Sequence, residues 1–465
     1  MKNTKNSRLI SDMGEFNPKF INDIAIPNSI EELKSLVKYA SKNKIKIYPL
    51  STGKNWGLGS KKPSSQAANL ISLEKLDKIR DINLKRGYAV IESGVTQKQL
   101  HKALKKTKWK ANFTHSCSST SVIGNSLERG VGTLHQRPQD IIGFEIITGK
   151  GKVIRSGSMW HKIKSDFYYD HEIGPTIHPL FFQSNFGIVT AAIFKLIPKP
   201  ETIRLIEIKV THSKLFKTLE SLKKAYKLNL INSIFKIYNA NAHSNYGYNN
   251  NSNESQKSYI GYGTINGLNT VANAQVLELK KLLDKSTYSY NAYEYDEYGK
   301  LNNKNIDRTI QKLNRSVPTK KAVYSLSEKG DLDIHSKIGW VLFAPIVPFD
   351  KKSMKKALAI YKSIEQQQEV DINTTFNIIS ANAIDLVTSI RFDRSCLEER
   401  NNIHKILDHL HKSFNELGFY PYRLDIDHQT KQNVYIDKNY VKLLQSIKNI
   451  FDPQGIISPG RYGIS

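Results

Sequence analysis

Between Pro27 and Lys44 the apolar residues Leu33, Leu36, Val37 and Ala40 recur at helical spacing. Glu31 and Glu32 fall in the first turn, and Asn28 or Ser29 is the expected cap. A short β-run follows over Ile45–Leu50, broken by the glycine-bearing loop Ser51–Gly59. Asn69–Leu73 and Tyr88–Glu92 read as further strands, and Thr96 caps a helix expected over Thr96–Lys106. Ile141–Thr148 and Val153–Arg155 flank Gly149, Lys150 and Gly151, a strong hairpin signal. The run Ile188–Ile197 closes this first α+β texture as a strand that stops at Pro198 and Pro200.

Beyond Glu201 helical segments alternate with strands. The pattern predicts strands over Gly339–Ile346 and Asn373–Ile379 and helices over Ser353–Gln367 and Glu398–Leu417. Asn239–Ser255 is rich in asparagine and low in complexity, which predicts a surface loop. The last forty residues return to the first texture, with a helix over Asn439–Phe451 and a turn over Asp452–Gly455. No internal repeat is present. The chain therefore reads as a first domain, a second domain that looks inserted, and a carboxy-terminal return to the first.

Composition changes this picture only in one respect. Sixty-nine Lys and Arg against 42 Asp and Glu leave a net charge of +27, which raises nucleic acid or anionic membrane as partners. The lysines are dispersed, however, and the densest group, Lys102–Lys110, alternates with apolar residues as a solvated helix face does. No specific nucleic acid and no membrane partner is expected, while an anionic small substrate would be favoured by the same field. The apolar stretch Val341–Phe349 is too short to span a bilayer, and Met1–Glu15 has no apolar core of a secretory signal. Two cysteines, Cys117 and Cys396, exclude a disulfide framework and make the cytoplasm the expected location.

Three clusters of glycine and small polar residues fall within 140 residues. Ser51–Gly59 follows a strand and offers three glycines, two hydroxyls and Lys54, so that backbone N–H groups can converge on an anion. Its spacing is neither that of a Walker A loop nor that of a dinucleotide fingerprint. Thr120–Gly132 and Phe181–Thr190 repeat the theme. Together they suggest one large polar ligand gripped by backbone and small side chains.

These segments resemble the vanillyl-alcohol oxidase and p-cresol methylhydroxylase family of FAD-linked oxidoreductases. Pro49–Gly59 resembles its pyrophosphate loop. The strings GNSLERGVG (Gly124–Gly132), QSNFGIVT (Gln183–Thr190) and DPQGIISPGRYG (Asp452–Gly463) resemble its flavin-holding loops and carboxy-terminal signature. The resemblance implies an α+β fold of two domains, an FAD-binding domain of the p-cresol methylhydroxylase type with an α/β cap over the isoalloxazine. The expected bounds are 1–204 for the FAD-binding domain, 205–417 for the cap and 418–465 for the return. It further implies that Ser51, Thr52, Gly53, Lys54 and Asn55 cradle the pyrophosphate with Trp56 and Gly57 alongside. Glu92, Gly94 and Val95 would lie near the adenine. Cys117, Ser121, Gly124, Asn125, Gly130, Asn185, Gly187, Ile188 and Arg461 would line the rest of the cofactor channel.

Covalent attachment follows the same resemblance residue by residue. Trp340 stands where the family has a flavin-linked histidine on a cap strand, and Asn55 where the berberine-bridge-like relatives have theirs, so no histidyl link is expected. Cys117, seven residues before Gly124, matches the cysteine that such bicovalent relatives bond to the flavin. Non-covalent FAD is the expectation, with a cysteinyl link at Cys117 as the alternative.

Tyr422 and Arg423 resemble the family's Tyr-Arg pair, a phenol and a fixed cation suited to holding an oxyanion. A second family tyrosine is replaced by Leu58, the active-site aspartate falls near Ser116, and Thr133–Gln136 replaces a tyrosine-bearing string. His178 and His115 are therefore the candidate bases, with His135 near them. No metal set stands out, and Asp425–His428 reads as a polar loop. The implied activity is hydride transfer from a small alcohol, phenolic or related natural product to FAD, with O₂ or another acceptor reoxidising it; dimers are common in the resembling family, so a homodimer is one outcome and the oligomeric state stays open. Two alternatives stand beside it. One is a carbohydrate or natural-product oxidase with flavin linked at Cys117, and the other a basic polyanion-binding protein that keeps the fold without redox turnover.

Overall fold

Ser29 is extended and its side chain accepts from the Glu32 N–H, which starts the first helix at Ile30 and lets it run to Lys42. Leu33, Val37 and Ala40 are wholly buried on one face, so the amphipathic stripe is satisfied by packing against strands Ile47–Leu50 and Ala68–Ser72. The computed structural model describes residues 8–161, 167, 169–171, 173–245, 258–287, 289–295 and 331–465.

Two sheets build the first unit. One has four strands in the order Arg8–Leu9, Phe20–Ala25, Ala68–Ser72, Ile47–Leu50, with the last three mutually parallel. The other is antiparallel, in the order Ile79–Asn83, Tyr88–Glu92, Gly187–Lys195, Ile141–Thr148, Val153–Arg155. The helix Gln97–Leu104 opens with a reciprocal capping box between Thr96 and Gln99. Thr96→Ala should cost about 1 kcal/mol of stability, read as a shifted denaturant midpoint with an unchanged slope. No shift would mean that the box is redundant with the packing of Leu100 and Leu104.

The second unit is one antiparallel sheet. Its order is Ser289–Tyr295, Thr202–Thr211, Ser258–Gly267, Phe235–Tyr238, Asn373–Ile378, Ala383–Asp393, Ile338–Phe343, and Ile346–Pro348 also pairs with Ala383–Asp393. Helices Leu215–Lys227, Asn269–Leu283, Lys351–Gln368 and Leu397–Glu416 pack on one face, where Phe235, Ile237, Phe376 and Ile378 are buried. The alternate residues, among them Lys236, Thr375 and Asn377, fall on the opposite face. Main-chain bonds join this unit to the first: Ile234 donates to Thr133, Leu342 to Gly57 and Trp340 to Met13. The helix Lys438–Phe451 packs back on the first unit, Phe451 against Phe181 and Phe186.

Three sequence expectations need correction. The strand expected over Gly339–Ile346 is two strands interrupted at Ala344 and Pro345, because proline has no N–H to continue the ladder. The run Ile188–Ile197 leaves its sheet after Lys195, and Ile197–Pro198 pairs instead with Trp109–Lys110. The segment expected as the loop Asn239–Ser255 begins with a helix, Ala240–Asn245, since Asn239 accepts from the Ala242 N–H and starts a turn; residues 246–257 lie outside the described residues. Among the described residues no helix is long and apolar enough to cross a membrane.

Candidate functional site

The cleft of the first unit begins where strand Ile47–Leu50 ends. Gly53 adopts φ +64° and Gly57 φ +76°, a region costly for other residues, so the loop folds back on itself. Among the described residues the amide N–H groups of Thr52, Gly53, Lys54 and Asn55 have no hydrogen-bond partner. The second cluster is stitched to the first: Ser121 N–H donates to Thr52 Oγ1 at 3.2 Å, and Ser121 Oγ to the Ser93 carbonyl at 2.7 Å. A Cβ on Gly124 would stand 2.3 Å from Ser51 Oγ, so only glycine admits this approach. The third cluster is held to the carboxy terminus by Asn185 Nδ2, which donates to the Ser458 and Ile464 carbonyls at 3.0 and 2.8 Å.

The cleft so formed is partly open to solvent. Ser51, Thr52, Gly53, Lys54 and Asn55 line one side. Ser121, Gly124 and Asn125 line a second, and Asn185, Gly187, Ile188 and Arg461 a third. Gly94 lines an adjoining hollow that shares Leu50, Thr52 and Lys54 with the first. The remaining candidates lie behind these walls. Glu92 is paired with Arg80 at 2.9 Å and accepts from the Lys78 N–H, which makes it part of the sheet's ion network. Val95 is wholly buried, and its carbonyl accepts from Val122 at the head of the second cluster. Gly130 donates to the Asn125 carbonyl and leaves room for the Asn125 side chain, where a Cβ would clash. Gly57 packs on Leu342 of the second unit.

Trp56 and Cys117 turn into an apolar cluster with Met13, Leu332 and Trp340. The Cys117 thiol is wholly buried against Ser119 Oγ at 3.1 Å and does not line the cleft. A cysteine in that setting behaves as a small core residue.

Of Tyr422 and Arg423, only Arg423 lines the cleft, and Tyr422 is packed beside it. Tyr422 N–H donates to the Ala344 carbonyl, which holds the pair against the interrupted strands. Arg423 lines the cleft, donates through Nε to the Glu128 carbonyl at 2.6 Å, and lies over the Tyr422 ring. Glu128 is the hub that sequence reasoning passed over, although it stands within GNSLERGVG. Its carboxylate accepts from Arg461 and from the Tyr462 hydroxyl. Burial opposes its ionisation, but Arg461 and Arg423 with that hydroxyl hold its carboxyl below the usual range. Burial pushes the Tyr422 phenol up to about 12, so it remains a hydrogen-bond donor at neutral pH.

The two candidate bases part company. His178 is buried edge-on against Phe144, 6.2 Å between ring centres, and does not line the cleft. His115 instead faces the second unit, with Nδ1 2.9 Å from Lys236 Nζ. Its loop is pinned by Gln97, which accepts from Thr114 N–H and donates to the Cys117 carbonyl. His135 is held by Asp140 at 2.6 Å. Lys236 is not anticipated by the sequence because it is a single polar residue in a strand pattern that one chain cannot orient.

His411, Asp425 and His428 converge as a metal set would. The Asp425 carboxylate already accepts from both imidazoles and from the N–H groups of Asp427 and His428. Four donors saturate its lone pairs, so the set is a hydrogen-bond network under the Tyr422–Arg423 turn.

FAD fits the cleft. Unpaired amides converge at one end, as a diphosphate requires, and Asn125 Oδ1 and Asn185 Oδ1 are buried without a partner among the described residues. Those two acceptors suit the N–H and hydroxyl donors of a flavin and its ribityl chain. A family model described as an FAD binding domain matches residues 22–157. Over 94% of this chain, a 1'-carboxy-chondrochloren decarboxylase of Chondromyces crocatus is 23% identical, with 90% of that protein covered. The 4-cresol dehydrogenase [hydroxylating] flavoprotein subunit of Pseudomonas putida is 24% identical over 94% of this chain and 86% of its own length. A crystal structure of p-cresol methylhydroxylase with substrate bound superposes with a TM-score of 0.85 at 22% identity, covering 96% of this chain and 90% of that one.

Proposed function

Since the chain belongs to the FAD-linked oxidoreductases of p-cresol methylhydroxylase type and is an FAD-dependent enzyme, we propose that it oxidises a small alcohol, phenolic or related natural-product substrate. The substrate would lie between the cleft and the face of the large sheet that is turned to the first unit. FAD, when bound, supplies two-electron redox chemistry, and an acceptor such as O₂ regenerates it. The observation that carries this reading is Arg423, fixed by the Glu128 carbonyl at the cleft wall with Tyr422 beneath it.

The residues divide the work by chemistry. Arg423 and the Tyr422 hydroxyl form a preorganised pair of donors for an oxygen that gains negative charge as carbon is oxidised. Arg423 is fixed by the carbonyl of Glu128, whose carboxylate is in turn held by Arg461 and Tyr462, so its orientation needs little reorganisation at the moment of reaction. Of the predicted bases, His115 lies against the second unit with Nδ1 accepting from Lys236, and His178 lies in the core against Phe144.

The reading is tested on purified protein by its absorption spectrum before and after acid precipitation, then by anaerobic reduction with a panel of benzylic alcohols and 4-alkylphenols. The expected result is a flavin band that moves to the supernatant and bleaches with at least one member of the panel. Colour retained in the pellet would restore the Cys117 link, which the buried thiol argues against. A colourless protein that takes up no added FAD would overturn the enzyme reading.

A further inference from the structure

Strand Phe235–Tyr238 carries one charged residue in an otherwise apolar and aromatic stretch. Phe235 and Ile237 are wholly buried on the helix-covered face, so Lys236 stands on the face turned to the first unit. Its cross-strand neighbours are Tyr262 on one side and Asn377 on the other, and Asn377 in turn is opposite Asp385. A row of polar side chains, Tyr262, Lys236, Asn377 and Asp385, thus crosses the sheet on the face opposite the four long helices, where the short helix Ala240–Asn245 packs at the Tyr262 end through Ala242.

The row is incompletely satisfied. Asn377 Nδ2 donates to Asp385 Oδ2 at 3.1 Å, yet Asn377 Oδ1 and Asp385 Oδ1 are buried with no partner among the described residues. Lys236 Nζ is bonded to His115 Nδ1 at 2.9 Å, and no carboxylate lies within ion-pair distance of it among the described residues. Asp385, two strands away and wholly buried, is the acid whose field it feels. An ammonium carries three donors and a full charge, and a single imidazole satisfies neither. Burial without a counter-ion holds the Lys236 ammonium down at about 8, so it is charged at neutral pH, and burial lifts the Asp385 carboxyl to about 7. Arg423, whose charge also reaches Asp385, adds positive field from the cleft side.

We infer that Lys236, backed by His115, is the anchor for a carboxylate carried by the substrate, with the unpaired oxygens of Asn377 and Asp385 taking hydroxyl or N–H donors beside it. The inference rests on the oxidoreductase reading for the identity of the occupant, but the subsite itself is a property of the sheet face. It narrows the substrate to a carboxylate-bearing molecule with its oxidisable carbon toward Arg423. A monoanion matches one ammonium and one imidazole better than a phosphate dianion does.

The test uses FAD-loaded full-length protein, with benzoate and its neutral near-isostere benzamide titrated by calorimetry. Benzoate should bind the natural chain more tightly than benzamide. Lys236→Met should weaken benzoate by about thirtyfold and leave benzamide unchanged, the loss of a charge-assisted bond in a dry site. Lys236→Arg should retain most of the benzoate affinity, which guards against a misfolded Met variant. Benzoate affinity in the natural chain should also fall as pH rises through about 8, because the ammonium loses its proton, and this dependence should vanish in the Met variant. His115, Asp385 and Arg423 face this position in every variant, and because the Lys236 charge lowers the Asp385 carboxyl, Lys236→Arg, which keeps that charge above pH 8, should retain its benzoate affinity through the same range. Equal benzoate affinity in the natural and Met proteins, or no preference for benzoate over benzamide, overturns the inference. Loss of substrate-driven flavin bleaching with benzoate binding intact would instead remove the redox reading and leave the anion site standing.

Discussion

Arg423→Ala is expected to slow substrate-driven flavin reduction by about 10²–10³-fold while the protein keeps its FAD. The physical ground is the arrangement of the guanidinium. Nε is committed to the Glu128 carbonyl at 2.6 Å and one terminal nitrogen lies 3.4 Å from the Asn125 carbonyl, which leaves further N–H donors on a group that lines the cleft. Such donors act only where negative charge develops, so their removal should lower the rate at saturating substrate and not merely raise KM. Arg423→Lys should recover only part of the loss, because an ammonium cannot keep the Glu128 contact and face the cleft with the same geometry. The measurement is stopped-flow reduction under anaerobic conditions, with flavin content read from the visible band of each variant. Unchanged reduction rates would take Arg423 out of the mechanism. Loss of flavin along with the rate would make it a structural support of the loop Asn125–Glu128.

Asp452→Ala should destabilise the fold by about 3–5 kcal/mol, an effect out of proportion for a residue in a terminal turn. Lys448 and Asp452 form an ion pair at 2.7 Å in which both side chains are wholly buried. The Lys448 ammonium also donates to the carbonyls of Asn185 and Ile457, and Asp452 Oδ2 accepts from the Ile457 N–H. Removing the carboxylate leaves a buried cation with neutral acceptors only, which is the costly way to break such a pair. The same bonds tie the third cofactor cluster to the carboxy-terminal signature, so FAD affinity should fall together with stability. Urea unfolding with and without excess FAD would separate the two, since bound cofactor stabilises only the native state. A variant as stable as the natural chain would mean that the turn is held by the packing of Phe451 alone.

Local elements follow from the chain alone wherever local chemistry dominates. Ser29 and Thr96 cap their helices because a hydroxyl in an extended residue reaches the N–H three positions on, and the hairpin around Gly151 forms because that residue takes φ +69°. The sequence also marked residues that line the cleft, since Ser51–Asn55, Ser121, Gly124, Asn125, Asn185, Gly187 and Ile188 come from three short stretches of chain. What it could not determine was which side chains leave a wall. Glu92, Val95 and Cys117 stand beside cleft residues in sequence yet point into the sheet network or the apolar core. Facing alternates along a strand, and its phase is fixed only by the partner strands.

The proposed substrate face belongs wholly to the tertiary structure. Glu128 joins Arg461 across 333 positions, and Lys236 meets His115 across 121. Only the antiparallel register aligns Lys236, Asn377 and Asp385 from three strands in one row. Backbone grip on a cofactor is written in consecutive residues and can be read from one chain. A pocket of converging charges is written in distances between residues far apart in the chain, and folding alone brings those distances down to bonds.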